Sequence, residues 1–214
     1  MEGKVASLPR ARVLRAALLG GILSLPGGGV LGEAAPTKTF ENSQFGFSVA
    51  LPVGCRHEEG PGTLDAVCSA ELDATKSVEA PAAASLLLEV DVEAVPQDAD
   101  KGPSDLAQGF SEANFKDELP EAVCGEADKA RVRIDNVRRV LDRTRVMYTA
   151  SIACPEIKFL GLGERDGIAQ FLITPGLRYR LLARALKDDF DQNRASIDAF
   201  FASFKTLPAD TRKQ

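Results

Sequence analysis

The chain has 214 residues, with 26 Lys+Arg against 31 Asp+Glu and a formal net charge of −5. That acidic balance excludes general nucleic-acid binding, which depends on neutralising phosphates. Its lone histidine, His57, is the only one open to a hydrolase triad, and no pair of the four cysteines has the C-x₂-C spacing of a zinc site.

Lys4, Arg10, Arg12 and Arg15 precede an apolar run from Ala16 to Leu25, which Pro26 and Gly27-Gly28-Gly29 break. Gly32 and Ala34 are small residues suited to cleavage after Ala34, so residues 1–34 are expected to be a secretory signal peptide. The apolar run is well short of the ~20 residues of a spanning helix. No transmembrane segment is expected in the mature chain. Residues 35–214 suit one domain. The leader takes four of the 26 basic and two of the 31 acidic residues, leaving 22 against 29, or −7. With no cysteine beside the cleavage site, no lipid anchor is expected. The abundance of Ala and Arg points to a bacterial source, and the compartment is read as periplasmic or secreted.

Residues 35–42 read as an exposed lead-in. Phe45, Phe47, Val49 and Leu51 then alternate with Gly46, Ser48 and Ala50, the period of a half-buried strand. Pro52 and Gly54 end it and deliver Cys55. Leu64 to Cys68 is a second strand across a turn containing Gly60-Pro61-Gly62. An even number of cysteines in an exported chain indicates disulfides. Four cysteines allow three connectivities, and proximity in sequence favours Cys55–Cys68 and Cys124–Cys154.

Residues 70–84 read as loop. Ser85 to Val95 is a strand with Leu88, Val90, Val92 and Ala94 towards the core and Glu89, Asp91 and Glu93 towards water. Pro96 to Pro103 is a polar linker without a calcium-loop pattern. Ser104 caps a helix expected over 105–119, ended by Pro120. Lys129 to Ile134 and Val137 to Leu141 are short strand-like runs, followed by a strand from Thr144 to Cys154. Arg131, Arg133, Arg138, Arg139, Arg143 and Arg145 crowd this region. Gly161-Leu162-Gly163 lacks the rest of a dinucleotide fingerprint and reads as loop. Gly167 to Thr174 and Leu177 to Leu186 form a hairpin about Pro175-Gly176. Asp188 or Asp189 caps a last helix, 190–204, whose Ile197, Phe200, Phe201 and Phe204 mark a buried face. Residues 208–214 are expected to fray.

The run Phe45-Gly46-Phe47-Ser48 with Pro52 and Gly54, and the closing Ile197-Asp198-Ala199-Phe200-Phe201-Ala202-Ser203-Phe204, resemble the first strand and last helix of the PsbP-like family. That family includes extrinsic photosystem subunits and a Ran-binding import factor of similar fold. Cys55 stands where the family often has Trp. The resemblance implies an antiparallel sheet flanked by helices in an accessory or binding subunit. The whole reading is therefore α+β: a single antiparallel β-sheet of roughly six strands, flanked by helices and held by two disulfides.

The candidate binding residues are arginines. Arg178, Arg180 and Arg184 share one face of a strand, and Arg143 and Arg145 one face of another. If those strands are neighbours, five guanidinium groups form a patch suited to carboxylate or phosphate. The plainer reading is a solvated sheet face balanced by nearby acids. The expected function is an exported, non-catalytic accessory or protein-interaction domain, docking through this face or the first disulfide loop. The alternative is a binder of a small anionic ligand or lipid, held between sheet and helix. No cofactor is expected. An enzyme would require an inward-facing carboxylate pair in a pocket.

Overall fold

The structure is a computed structural model that describes residues 36–68, 86–125, 129–156 and 163–207. The expected signal peptide, the 70–84 loop, Gly161-Leu162 and the 208–214 tail lie outside the described residues. Those described fall in one compact unit, Gly32–Gln214.

Two antiparallel sheets replace the single sheet expected. The smaller joins β1 (Thr37–Asn42), β2 (Phe47–Pro52) and β10 (Lys205–Thr206) in the order β1-β2-β10. The larger has seven strands: β3 (Arg56–Gly60), β4 (Thr63–Cys68), β5 (Leu86–Ala94), β6 (Arg133–Leu141), β7 (Val146–Cys154), β8 (Arg165–Thr174) and β9 (Leu177–Leu186). Its order is β3-β4-β5-β9-β8-β7-β6. The small sheet escapes period-two reading for a physical reason. β1 is mostly exposed, so its residues have the look of a lead-in, while β10 is two residues long and forms only because the chain returns to β2 after α4. β3 pairs residue for residue with β4, which narrows the first turn to Pro61-Gly62.

The helices also divide differently. α1 (Pro103–Gly109) and α2 (Glu112–Cys124) replace the one helix expected over 105–119. Ser111 and Asn114 form a reciprocal capping box that restarts the helix after Phe110. Pro120 lies inside α2 instead of ending it, and the helix continues to bury Val123 and Cys124. The last helix is likewise split into α3 (Lys187–Phe190) and α4 (Arg194–Ser203).

Apolar residues lie on both faces of the large sheet. On one face Phe47, Val49 and Leu51 of β2, with Phe190, Ile197 and Phe200, pack on Leu64, Leu88, Val90, Tyr179 and Leu181. On the other, Leu106, Phe115, Leu119 and Val123 of α1 and α2 pack on Val146, Tyr148, Ile152, Phe171 and Ile173. The two stretches that carry the family resemblance meet in the first core. Ser203 Oγ accepts from the Ala50 amide at 2.8 Å and donates to the Phe200 carbonyl. Phe204 stacks on Phe47 with ring centroids 5.9 Å apart. Ser203-Phe204, after the last helix, is therefore a clamp on β2.

Both disulfides join the partners that sequence proximity favours. Cys55–Cys68 spans 13 residues and ties the start of the β3–β4 hairpin, and Cys124–Cys154 spans 30 and ties the end of α2 to β7. Loop-closure entropy predicts that removing the longer bridge by double alanine substitution costs about 3.7 kcal/mol, against about 2.9 for the shorter. Urea unfolding of the two variants checks the ordering, and a larger loss from Cys55/Cys68 contradicts it.

Candidate functional site

β9 alternates strictly, so Tyr179, Leu181 and Ala183 enter the first core while Arg178, Arg180 and Arg184 turn to the α2 side. Its antiparallel register with β5 sets Arg178 opposite Glu93 and Arg180 opposite Asp91. Both pairs form ion pairs. Arg184 lies opposite Leu87 and reaches diagonally to Glu89, at 2.8 Å. Such cross-strand pairs are the unit of sheet stabilisation. The acids expected to face water thus pair with the arginines, and α2 reaches the arginine row at Arg178 and Arg184. Glu118 of α2 joins Arg178 at 3.1 Å, and the Arg178 guanidinium sits 4.8 Å from the centre of the Phe110 ring.

This ladder also completes the end of α2. The last turn of α2 carries no basic residue. Its terminal carbonyls are instead met from the sheet: Arg184 donates to the Val123 carbonyl at 2.8 Å and Arg165 to the Cys124 carbonyl at 3.3 Å. Cations placed here complement the negative end of the helix dipole. The helix can come this close because β8 has Gly167 beneath it. A Cβ there would meet the Ala183 carbonyl at 3.0 Å and a Val123 methyl at 3.1 Å.

Arg143 and Arg145 do not share a strand. They lie in the β6–β7 turn, where Asp142 pairs with Arg145 at 2.6 Å. Since β8 separates β7 from β9, the two arginine groups are not on neighbouring strands, and the condition for a five-arginine patch is not met. His57 is on β3, edge-on to Phe40 at 5.7 Å.

Asp65 of β4 stands beside Glu89, opposite it in register. Burial pushes both carboxyls above their ordinary range; Arg184 partly offsets this, while Glu58 raises Asp65 further and Asp65 raises Glu89 further. With Thr63, Asp91, Ala122, Arg180 and Leu182 they line a cleft of about 230 Å³. This is the geometry a carboxylate-based enzyme would need, but Glu89 is already the counter-charge of Arg184 and Asp91 that of Arg180. Three carboxylates also give the cleft the wrong sign for an anion. A second cleft, of about 280 Å³, lies beside Phe110 and includes Lys101 and Arg178, both already in ion pairs. Both clefts fall below the roughly 300–1,000 Å³ of small-molecule sites. Among the described residues no group of His, Cys, Asp and Glu is arranged to hold a metal ion. No helix among them is long and apolar enough to cross a membrane.

The other concentration of positive charge is at the sheet edge. β6 is the last strand of the large sheet and is exposed along most of its length. Arg133, Arg138 and Arg139 on β6, with Arg143 and Arg145 in the turn that follows, are exposed. Val140 and Leu141 beside them are 50% and 49% exposed. A bulge between Asp135 and Arg138, with Asn136 at φ 55°, interrupts the pairing with β7. The opposite edge, β3, carries Glu58 and Glu59. The arginine crowding over 131–145 was visible in the sequence. Its placement on an edge was not, because strand order depends on long-range pairing.

No protein-family profile and no curated protein matches the sequence. Solved structures do match the fold. One is the solution structure of cyanobacterial PsbP (CyanoP) from Synechocystis sp. PCC 6803, with a TM-score of 0.50 and 15% identity over 86% of this chain and 99% of that one. Another is the Saccharomyces cerevisiae Ran-binding protein Mog1p, with a TM-score of 0.50 and 12% identity over 83% of this chain and 99% of that one. The fold is PsbP-like.

If Arg184 holds both a half-buried acid and the end of α2, Arg184→Met is expected to cost about 2 kcal/mol at pH 7, below the full cost of breaking a buried pair. A carboxyl whose folded pKa lies above its unfolded value disfavours folding as pH rises through the window between the two. Loss of Arg184 widens that window for Glu89 and Asp65. The cost of Arg184→Met is therefore expected to shrink as pH falls towards about 4, where the carboxyls protonate. Urea unfolding at the two pH values measures this, and a cost that stays constant or grows on acidification contradicts it.

Proposed function

We propose that this chain is an exported, non-catalytic interaction domain that docks an acidic partner protein through the β6 edge and the β6–β7 turn. The observation that carries the reading is exposed Arg138, Arg139 and Arg143 beside exposed Val140 and Leu141, flanked by Arg133 and Arg145 in ion pairs with Asp135 and Asp142, in a chain of net charge −5. Apolar residues ringed by arginine are the composition of a protein-binding patch. Arg178, Arg180 and Arg184 are assigned to the half-buried cross-strand ladder, and Arg143 and Arg145 remain binding residues. The similarity in fold to PsbP and to a protein named for binding Ran supports a binding role. The leader-like residues 1–34 and two disulfides support a periplasmic or secreted location.

The test is capture of the partner by cross-linking in cells of the native host, comparing wild type with Arg138→Glu/Arg139→Glu/Arg143→Glu. The triple variant is expected to lose the cross-linked partner while keeping its melting temperature, since all three residues are exposed. Retention of the partner contradicts the docking site.

A further inference from the structure

Resting on that docking site, we infer that the partner binds as an added β-strand along Arg138–Leu141, and that the segment it contributes reads apolar-apolar-acidic-acidic from N- to C-terminus. β6 pairs with β7 alone among the described strands, so its outer side has a row of backbone groups turned from the sheet. An extended peptide that adds to such an edge takes affinity from main-chain hydrogen bonds and specificity from alternate side chains.

The side chains then define the pattern. Arg138 to Leu141 pairs without interruption with Thr149 to Val146, beyond the bulge. Arg138 and Val140 project to one face and Arg139 and Leu141 to the other, as strand alternation requires. An incoming strand must place acids opposite Arg138 and Arg139 and apolar residues opposite Val140 and Leu141. Every pair in this sheet is antiparallel. Continued antiparallel, the partner meets Leu141 first, then Val140, Arg139 and Arg138, which sets the order.

The same charges select against other occupants. A second β6 in the same antiparallel register would set Arg138 against Leu141 and Arg139 against Val140, so that no arginine would meet an acid. A second copy offering β3 would match Glu58 to Arg139 and Glu59 to Arg138, but would then bring His57 and Arg56 against Val140 and Leu141. The edge is thus protected against self-pairing and open to one class of strand.

The test uses the full mature protein and four capped synthetic peptides: one with the core Val-Val-Glu-Glu, one with the same residues in reverse order, and an analogue of each N-methylated at alternate amides. Fluorescence anisotropy at low salt is expected to show the forward peptide binding at least about tenfold more tightly than the reverse one. Both N-methylated analogues are expected to lose binding, and Arg138→Glu/Arg139→Glu to abolish it. Equal binding of methylated and unmethylated forward peptides overturns strand addition while leaving charge-based docking intact. Equal binding of forward and reverse peptides overturns the assigned order. A forward peptide that binds the double variant as well as it binds wild type overturns the docking site itself, and absence of any binding overturns the inference.

Discussion

The end of α2 is the point on which the helical side of this fold depends. A helix that stops against a sheet must satisfy its last carbonyls there, and α2 brings no basic residue to do so. The sheet supplies Arg184 and Arg165, the Cys124–Cys154 bond fixes the distance, and Gly167 leaves the room. Arg184 is held in turn by Glu89 on the next strand. Helix, disulfide and cross-strand ladder therefore form one mechanical unit. Its elements come from β5, β7, β8 and β9, the middle of the seven-stranded sheet.

That arrangement changes the meaning of the charged residues on β9. Alternation places Arg178, Arg180 and Arg184 together on one face, and in isolation such a row looks like an anion site. Their facing acids remove that possibility locally: the row is matched almost one for one by Glu93, Asp91 and Glu89, and Phe110 covers one end. Arginines outside any ion pair among the described residues, Arg138, Arg139 and Arg143, lie three strands away on β6 and in the turn after it. Opposite signs on the two sheet edges, arginine on β6 and glutamate on β3, also serve the general need to keep exposed edges from pairing with their own kind.

Much of this was legible in the sequence, and the exceptions have physical causes. The β8–β9 hairpin reads correctly because Pro175-Gly176 and two alternating runs all act locally. Gly176 indeed takes φ 76°, as the turn requires. The disulfide partners follow from closeness along the chain. The helix break at Phe110 was hidden because the Ser111–Asn114 capping box that restarts the helix is a side-chain contact, and Ser104, expected as the cap, lies inside α1, whose N-cap is Gly102. The second sheet was hidden because β1 and β10 have almost no pattern of their own and exist through pairing with β2. Alternation also showed that Glu89, Asp91 and Glu93 share a face but not that the arginines of β9 would stand beside them on the next strand. Strand order, which puts Arg138 and Arg139 on an edge and separates β7 from β9, is a property of the whole chain.

Two sets of arginines divide the labour, one committed to the cross-strand ladder and one available at the edge. Arginine footprinting of the native protein with phenylglyoxal, read residue by residue by mass spectrometry, tests this division most directly. The account predicts rapid modification of Arg138, Arg139 and Arg143 and protection of Arg178, Arg180 and Arg184 until the protein is unfolded. Modification of the ladder arginines in the native state as fast as those of β6 would contradict it.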